Sequence, residues 1–390
     1  MTSTTSSFSL SEQQLAVQDL VRRVANDKVA PRAASIDATA EYPQDMFDLL
    51  NELGLFLLPF PVRYGGANDL LAGCVAVEEF GRVCYNTAYL LFMQWLPIGA
   101  LIGGGTAEQQ DRYLPDLAAG RTRGAFSLTE AQSGSDVSGI KTRAVRDGAG
   151  YRLSGAKIWC TNAAKSDFVL VAAKVDGEHK SGINFFIVPT HAPGFEIGRK
   201  EDKMGARGVP SNPLFLDDVV VGEEQRIGPE GDGFRLVMEA LNSSRPIVAA
   251  RGVGLAQGAT DHAADFVRNR RAFGQNVSDF QGIRWMVADM EIQTEAARQL
   301  TYRAAAMVDA GVTGPEMAKA AAIAKTFSSD TAMKVATDAV QLFGASGISA
   351  EYPIGRYFRD AKVLQIIEGT NQIQRNVIAR TIFGREGTGK

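Results

Sequence analysis

The sequence predicts an α+β protein with an N-terminal α-helical domain at 1–122, a middle β domain at 123–235 and a C-terminal α-helical bundle domain at 236–390. Three observations predict it. Apolar residues recur at helical spacing from residue 11 to about 122, short β-branched and aromatic runs with glycine turns fill about 124–235, and a long helical stripe follows. In the first segment Ser11 precedes "EQQLAVQDLVRRVA" and Thr106 precedes "AEQQDRYLPDLAAG", while Gly54, Gly81 and Gly120 mark stops. In the second, "TRAVRDGAGYRLSGAKIW" reads as two strands around a turn, and "FVLVAAKV" and "INFFIVP" as strands separated by "DGEHKSG". In the third, Ile283, Met286, Val287, Met290, Ala297, Leu300, Ala304 and Met307 form one helical stripe, and Pro315 opens a further helix ending near Gly344. Alanine-rich runs at 304–306 and 318–324 let helix axes approach closely, as in a four-helix bundle whose outer faces can meet other subunits.

Composition excludes several function classes. The 390 residues carry 41 basic and 44 acidic side chains without long runs, so neither a nucleic-acid footprint nor a polybasic membrane patch is expected. Cys74, Cys84 and Cys160 show no paired spacing, and His179, His191 and His262 form no ligand cluster, which predicts a reduced cytoplasmic setting and no metal. "MTSTTSSFSLSEQQ" lacks the basic region and apolar core of a signal peptide and reads as a frayed tail. Residues 83–107 carry no charge, but Asn86, Gln94, Pro97 and the glycines at 103–105 interrupt the run, so a buried helix is expected there instead of a membrane span.

Four stretches can carry chemistry. "VLQIIEGTNQIQRNVIAR" places Glu368 at a break between two apolar helical segments, with Gly369 supplying the break and Asn371 with Gln374 reading as a capping box. Such a turn either aims the carboxylate into a cavity or leaves it solvated. "AFSLTEAQSGSDVSG" offers hydroxyls and backbone donors to a polar ligand, or is only a polar turn. "KIWCTNA" puts Trp159 and Thr161 on one strand face, a flat apolar surface beside a hydroxyl, as a flavin ring or an ordinary β core requires. "RNRRAFGQ" is either a phosphate grip or a solvated basic face. "GVGLAQG" at 252–258 follows no strand and reads as close helix packing, not as a dinucleotide loop.

Taken in order, "LTEAQSGSD", "KIWCTNA", "RPIVAARGVGLAQGA", "NRRAFGQ", "QLFGASG" and "RDAKVLQIIEGTNQIQRNVIAR" resemble the acyl-CoA dehydrogenase family of flavoproteins over nearly the whole chain. The resemblance implies the same arrangement, with a middle β-sheet or barrel domain and a C-terminal four-helix bundle. It implies FAD as cofactor, an acyl-CoA substrate and oxidation to the trans-2-enoyl thioester. Glu368 would then remove the α-proton while the β-hydride passes to flavin N5 and electrons leave to an electron-transfer flavoprotein. Phe126, Leu128, Thr129, Trp159 and Thr161 match residues that hold the flavin ring. Arg270, Phe273 and Gln281, with Gln341, Phe343, Gly344 and Ala345, match the pyrophosphate and adenosine site, partly across a subunit boundary, so a homo-oligomer, usually a tetramer, is implied. Thr370 and Gln372 match the remaining FAD contacts; Ser135, Asn242 and Arg245 match contacts to the CoA arm, and Gly369 leaves room for substrate at the Glu368 amide.

Departures from the family pattern bear on substrate. Asn242 stands where many members have aspartate, Ile367 where many straight-chain enzymes have tyrosine, and Asn86 where glutaryl-CoA dehydrogenases place an arginine. An apolar Ile367 wall fits a branched or bulky acyl group, and Asn86 speaks against a dicarboxylic one; Phe92, Met93 and Trp95 either narrow the far end of the pocket or are core. An acyl-carrier-protein thioester as substrate and a same-fold acyl-CoA oxidase are the alternative activities; retention of Glu368 argues against a monooxygenase or a non-catalytic binder.

Overall fold

The computed structural model describes residues 9–176 and 181–384, so His179 and part of the "DGEHKSG" connection lie outside the described residues. Helices come first: α1 Glu12–Val24, α2 Ala30–Thr39, α3 Gln44–Glu52, α4 Leu70–Val83, α5 Tyr85–Gly104 and α6 Ala107–Ala118. Strands follow: β1 Gly124–Ser127, β2 Arg143–Asp147, β3 Gly150–Thr161, β4 Phe168–Asp176, β5 Ser181–Pro189, β6 Phe195–Ile197, β7 Ser211–Gly222 and β8 Arg226–Ile227. Helices then return as α7 Gly233–Asn269, and, after the short β9 Arg271–Ala272 and β10 Gln275–Asn276, as α8 Gln281–Asp309, α9 Gly314–Phe343, α10 Ile354–Ile366 and α11 Asn371–Phe383. The order is the helical, sheet, helical succession that the sequence predicts.

Local chemistry explains the boundaries. Ser11 and Thr106 each accept from the backbone three residues on, and Gln14 and Gln109 return the bond, two complete capping boxes. Gly54 and Gly120 terminate their segments with φ of 68° and 65°. Gly81 does not; it lies inside α4, where a Cβ would come within 3.3 Å of the Arg251 carbonyl. Its smallness serves close packing against α7. The glycines of 252–258 act alike, since Cβ atoms at Gly254 and Gly258 would fall 2.2 and 1.9 Å from the carbonyls of Glu78 and Arg82. The uncharged run forms α5, with 78% of its most apolar window buried.

By compactness the chain divides into two units. One holds residues up to Ala34, Asp69–Ala88 and everything from Arg245; the other holds Ser35–Asn68 and Tyr89–Ser244. In the first unit α9 packs against α8, α10 and α11, and α4 against α1 and α8. The buried seam of α8 runs Met290, Thr294, Ala297, Thr301, Ala304, a heptad-like spacing that includes two threonines. Their hydroxyls bond back to the carbonyls of Met290 and Ala297, both at 2.8 Å, so the seam contains no unsatisfied hydroxyl there.

In the second unit the strands form one eight-stranded sheet in the order β6-β7-β3-β2-β4-β5-β8, with β1 joined parallel to β4. Its core packs Tyr151, Leu153, Val169, Val171, Phe186, Val188, Leu214 and Val219. A buried ion pair fixes the segment after β1: Lys157 Nζ reaches Glu130 Oε1 at 2.8 Å and the Leu128 carbonyl at 3.2 Å. Glu130 also accepts from Thr142 Oγ1 at 2.6 Å and from the amides of Thr142 at 3.0 Å and Lys141 at 2.5 Å. Burial pushes the Glu130 carboxyl up, but these donors outweigh it and hold the group down to about 2.

Removing the carboxylate leaves a buried ammonium. Glu130→Ala is expected to cost about 3–5 kcal/mol in chemical denaturation, and the double variant Glu130→Gln with Lys157→Met less than that. Because the folded value lies below the ordinary 4.5, the Glu130 contribution is complete above 4.5 and is lost as pH falls toward about 2. A Glu130→Ala protein as stable as wild type would remove the pair from its structural role.

Candidate active site

α10 stops at Ile366, and Ile367 to Gly369 form the turn before α11. Glu368 has φ of 56° and Gly369 of 83°, so a glutamate occupies the left-handed region that side chains other than glycine rarely enter. The expected Asn371–Gln374 capping box is corrected here: Thr370 is the N-cap, its hydroxyl accepting from Ile373 N at 3.3 Å. Asn371 instead points inward, where Oδ1 accepts from Lys325 Nζ at 2.8 Å and from Ser329 Oγ at 3.0 Å. Gln374 Nε2 donates back to the carbonyls of Glu368 at 3.2 Å and Gly369 at 3.3 Å. A Cβ on residue 369 would meet that amide at 2.6 Å and displace it, and the left-handed backbone favours glycine.

Glu368 keeps some surface as a residue, and its carboxyl group is desolvated. Burial raises its pKa from the ordinary carboxylate value; Arg251, Arg245 and Lys325 oppose that shift through space and only partly cancel it. Arg251 is fully buried on α7, its Nη1 3.2 Å from Tyr85 Oη and its guanidinium 5.5 Å from the Tyr85 ring centroid. Arg245 is buried, which lowers its pKa, and Glu368 acts in the opposite direction. Lys325, fully buried on α9, is lowered to about 7, by burial first. Sequence reasoning missed Arg251 and Lys325. Each is a lone cation in a run of small and apolar residues, "PIVAARGVGLA" and "AAAIAKTF", and that pattern is the signal.

The same unit contains a cavity of about 420 Å³ lined by Arg270, Gln341, Phe343, Gly344, Ala345 and Phe266 among others. Five of the residues expected at the pyrophosphate and adenosine site therefore converge on it, together with Phe266, whose ring stacks on Phe343 at 4.2 Å. Its mix of a guanidinium, an amide, a glycine turn and aromatic faces suits a nucleotide. Phe273 and Gln281 are not among its lining residues. Phe273, 95% exposed with φ of 52°, sits with Gly274 at the tip of the β9–β10 hairpin, and Gln281 is exposed at the start of α8. Thr370 caps α11, and Gln372 is exposed on its first turn.

In the sheet unit Trp159 and Thr161 flank buried Cys160 on β3, as alternation predicts, but the cause is partly different. The β3–β7 register shifts between Lys157 and Cys160, and Trp159 has φ of 59°, so a bulge turns the indole out to 52% exposure. Thr161 Oγ1 lies 3.3 Å from Ser211 Oγ. Phe126 packs on Phe185 at 4.7 Å, while Ile158 N donates to the Thr129 carbonyl at 2.9 Å and Lys157 holds that of Leu128. Phe126, Leu128 and Thr129 are thus held next to the bulge that carries Trp159. Ser135 is exposed in the following loop and Asn242 half-buried on α7. Ile367 is half-buried beside Glu368, and Asn86 is buried near the start of α5.

Profiles of the acyl-CoA dehydrogenase N-terminal, middle and C-terminal domains match residues 11–121, 125–219 and 231–383. The cyclohexane-1-carbonyl-CoA dehydrogenase of Geobacter metallireducens is 41% identical over 378 residues, 96% of this chain and 99% of that protein. Among solved structures, butyryl-CoA dehydrogenase from Megasphaera elsdenii aligns with a TM-score of 0.92 at 37% identity, covering 96% of this chain and 99% of that one. A glutaryl-CoA dehydrogenase from Mycobacterium smegmatis in complex with FADH2 aligns at 0.89 and 25% identity, covering 97% and 96%. With a nucleotide-sized cavity lined by the expected side chains and a desolvated glutamate in its turn, the chain belongs to the acyl-CoA dehydrogenase family and is an FAD-dependent oxidoreductase.

Proposed function

We propose that Glu368 is the base that removes the α-proton of an acyl-CoA thioester, giving the trans-2-enoyl product. The observation that carries this reading is the desolvated Glu368 carboxyl with three cations acting on it through space. Desolvation raises proton affinity and so makes the carboxylate a stronger base toward a weak carbon acid, while the cations favour its ionised form. FAD, when bound, would supply the acceptor for the hydrogen leaving Cβ, and an electron-transfer flavoprotein is the proposed partner for the electrons. The Glu368 amide is proposed to donate to the thioester oxygen, where developing negative charge needs a fixed dipole. Arg270, Gln341, Phe343, Gly344 and Ala345 would hold the pyrophosphate and adenosine, and Phe126, Leu128, Thr129, Trp159 and Thr161 the flavin ring. Phe273, Gln281, Thr370 and Gln372 complete the proposed FAD set, Phe273 and Gln281 reaching a neighbouring subunit of a homotetramer. The exposed Phe273 and Ile348 support that assembly, since large apolar side chains at 95% and 85% exposure call for a cover. Ser135, Asn242 and Arg245 are proposed for the CoA arm, with Gly369 admitting the thioester. A branched or cyclic acyl group is the proposed substrate, supported by apolar Ile367 beside the base and by the name of the Geobacter relative.

Anaerobic titration with butyryl-, cyclohexane-1-carbonyl- and glutaryl-CoA, following flavin absorbance, tests the reading. Bleaching by the cyclic ester is expected and by glutaryl-CoA is not; a flavin that no ester reduces would defeat it. Glu368→Gln should retain flavin and bind acyl-CoA while reduction slows by roughly 10²–10⁴-fold, because an amide cannot take the proton. Near-normal reduction would move the base elsewhere. Arg270→Ala should purify with less flavin at unchanged fold, read from the ratio of flavin to protein absorbance, and full flavin content would remove Arg270 from the site.

A further inference from the structure

Lys325 is the buried cation that touches the backbone of the catalytic turn. Its Nζ donates to the Gly369 carbonyl at 2.9 Å and to Asn371 Oδ1 at 2.8 Å. Asn371 is itself locked, receiving Ser329 Oγ at 3.0 Å and donating to Asp330 Oδ1 at 2.7 Å. Asp330 is anchored by Gln365 Nε2 and Arg375 Nη2, each at 2.7 Å. From the other side Gln374 holds the carbonyls of Glu368 and Gly369. The turn is therefore gripped by α9 and α11, which a left-handed glutamate needs if its strained backbone is to persist.

We propose that Lys325 is a positioning residue for the reaction: its ammonium fixes the Gly369 carbonyl and Asn371 and so sets the aim of Glu368. The proposal rests on Glu368 being the base. The charged groups that act on Lys325 are Glu368 from the turn, Arg245 and Arg251 from α7 and Asp330 from α9, with Arg375 of α11 reaching Asp330. Arg245 and Arg251 crowd the lysine with like charge, and Glu368 and Asp330 hold its proton on. Taking away the Lys325 charge removes one of the influences that lower Glu368, so the carboxyl must then titrate at higher pH.

The test is carboxyl-stretch infrared difference spectroscopy of the flavin-loaded full chain across pH, with Glu368→Gln identifying the Glu368 band. In Lys325→Met the midpoint is expected at higher pH than in wild type, and Lys325→Arg should bring it back. The acid limb of flavin reduction by butyryl-CoA and cyclohexane-1-carbonyl-CoA should move with it. Lys325→Gln gives the same reading should the methionine variant not fold. An unmoved midpoint in the uncharged variants, with reduction slowed equally at every pH, would overturn the proposal and leave Lys325 a packing element. A shifted band in a protein that neither ester reduces would uphold the positioning and sink the acyl-CoA reading instead.

Discussion

A carboxylate removed from water is the constraint around which the helical unit is built. Left alone, Glu368 would keep its proton, because desolvation disfavours the charged form. Arg245 and Arg251 on α7 and Lys325 on α9 oppose that with three positive charges, and the balance still lies on the raised side. A base of raised proton affinity that remains ionisable is what removal of a proton from carbon requires. The cost is distributed: burial lowers Arg245 and Lys325 in turn, so each cation is held charged partly by the carboxylate it serves. The close approach of α4 to α7 through Gly81, Gly254 and Gly258 helps seat the Arg251 helix against the helical core.

Backbone geometry adds a second constraint to the same residue. α10 carries its buried stripe through Tyr357, Ala361 and Leu364 and stops at Ile366. Two successive left-handed residues break it, and Thr370, Asn371 and Gln374 satisfy the groups that the break exposes. The first turn of α11 thereby does two jobs, capping itself through Thr370 and bracing the preceding turn through Gln374.

Much of this was legible in the sequence. Helical and strand periods gave the order of elements, the helix starts at Ser11 and Thr106 were visible, and the break at Gly369 marked the turn. The capping role of Thr370 was misplaced by one residue because Asn371 is also a good N-cap type, and only its bond to Lys325 shows that it faces inward. Gly81 read as a stop because glycine terminates helices and also lets them touch, and sequence spacing does not separate the two uses. Trp159 was placed by alternation, whereas the bulge that sets its exposure depends on the register with β7, a partner about 50 residues away. Arg251 and Lys325 went unread because a charged residue in a helix is ordinarily a solvated one.

Two buried lysines show why burial alone does not mark a functional charge. Lys157 and Lys325 are both fully buried and each bonds a backbone carbonyl, yet the carboxylates they accompany are treated in opposite ways. Glu130 is saturated, its oxygens taking Lys157, the Thr142 hydroxyl and two amides, and its pKa falls to about 2. A carboxylate so filled has no lone pair to offer and no proton affinity near neutrality. Glu368 receives its cations through space, not through hydrogen bonds, and its pKa is raised. Lys325 spends its donors on the turn beside the carboxylate, leaving the oxygens open. That difference, charge supplied without occupying the acceptor, separates a carboxylate that ties a sheet together from one left open to take up a proton.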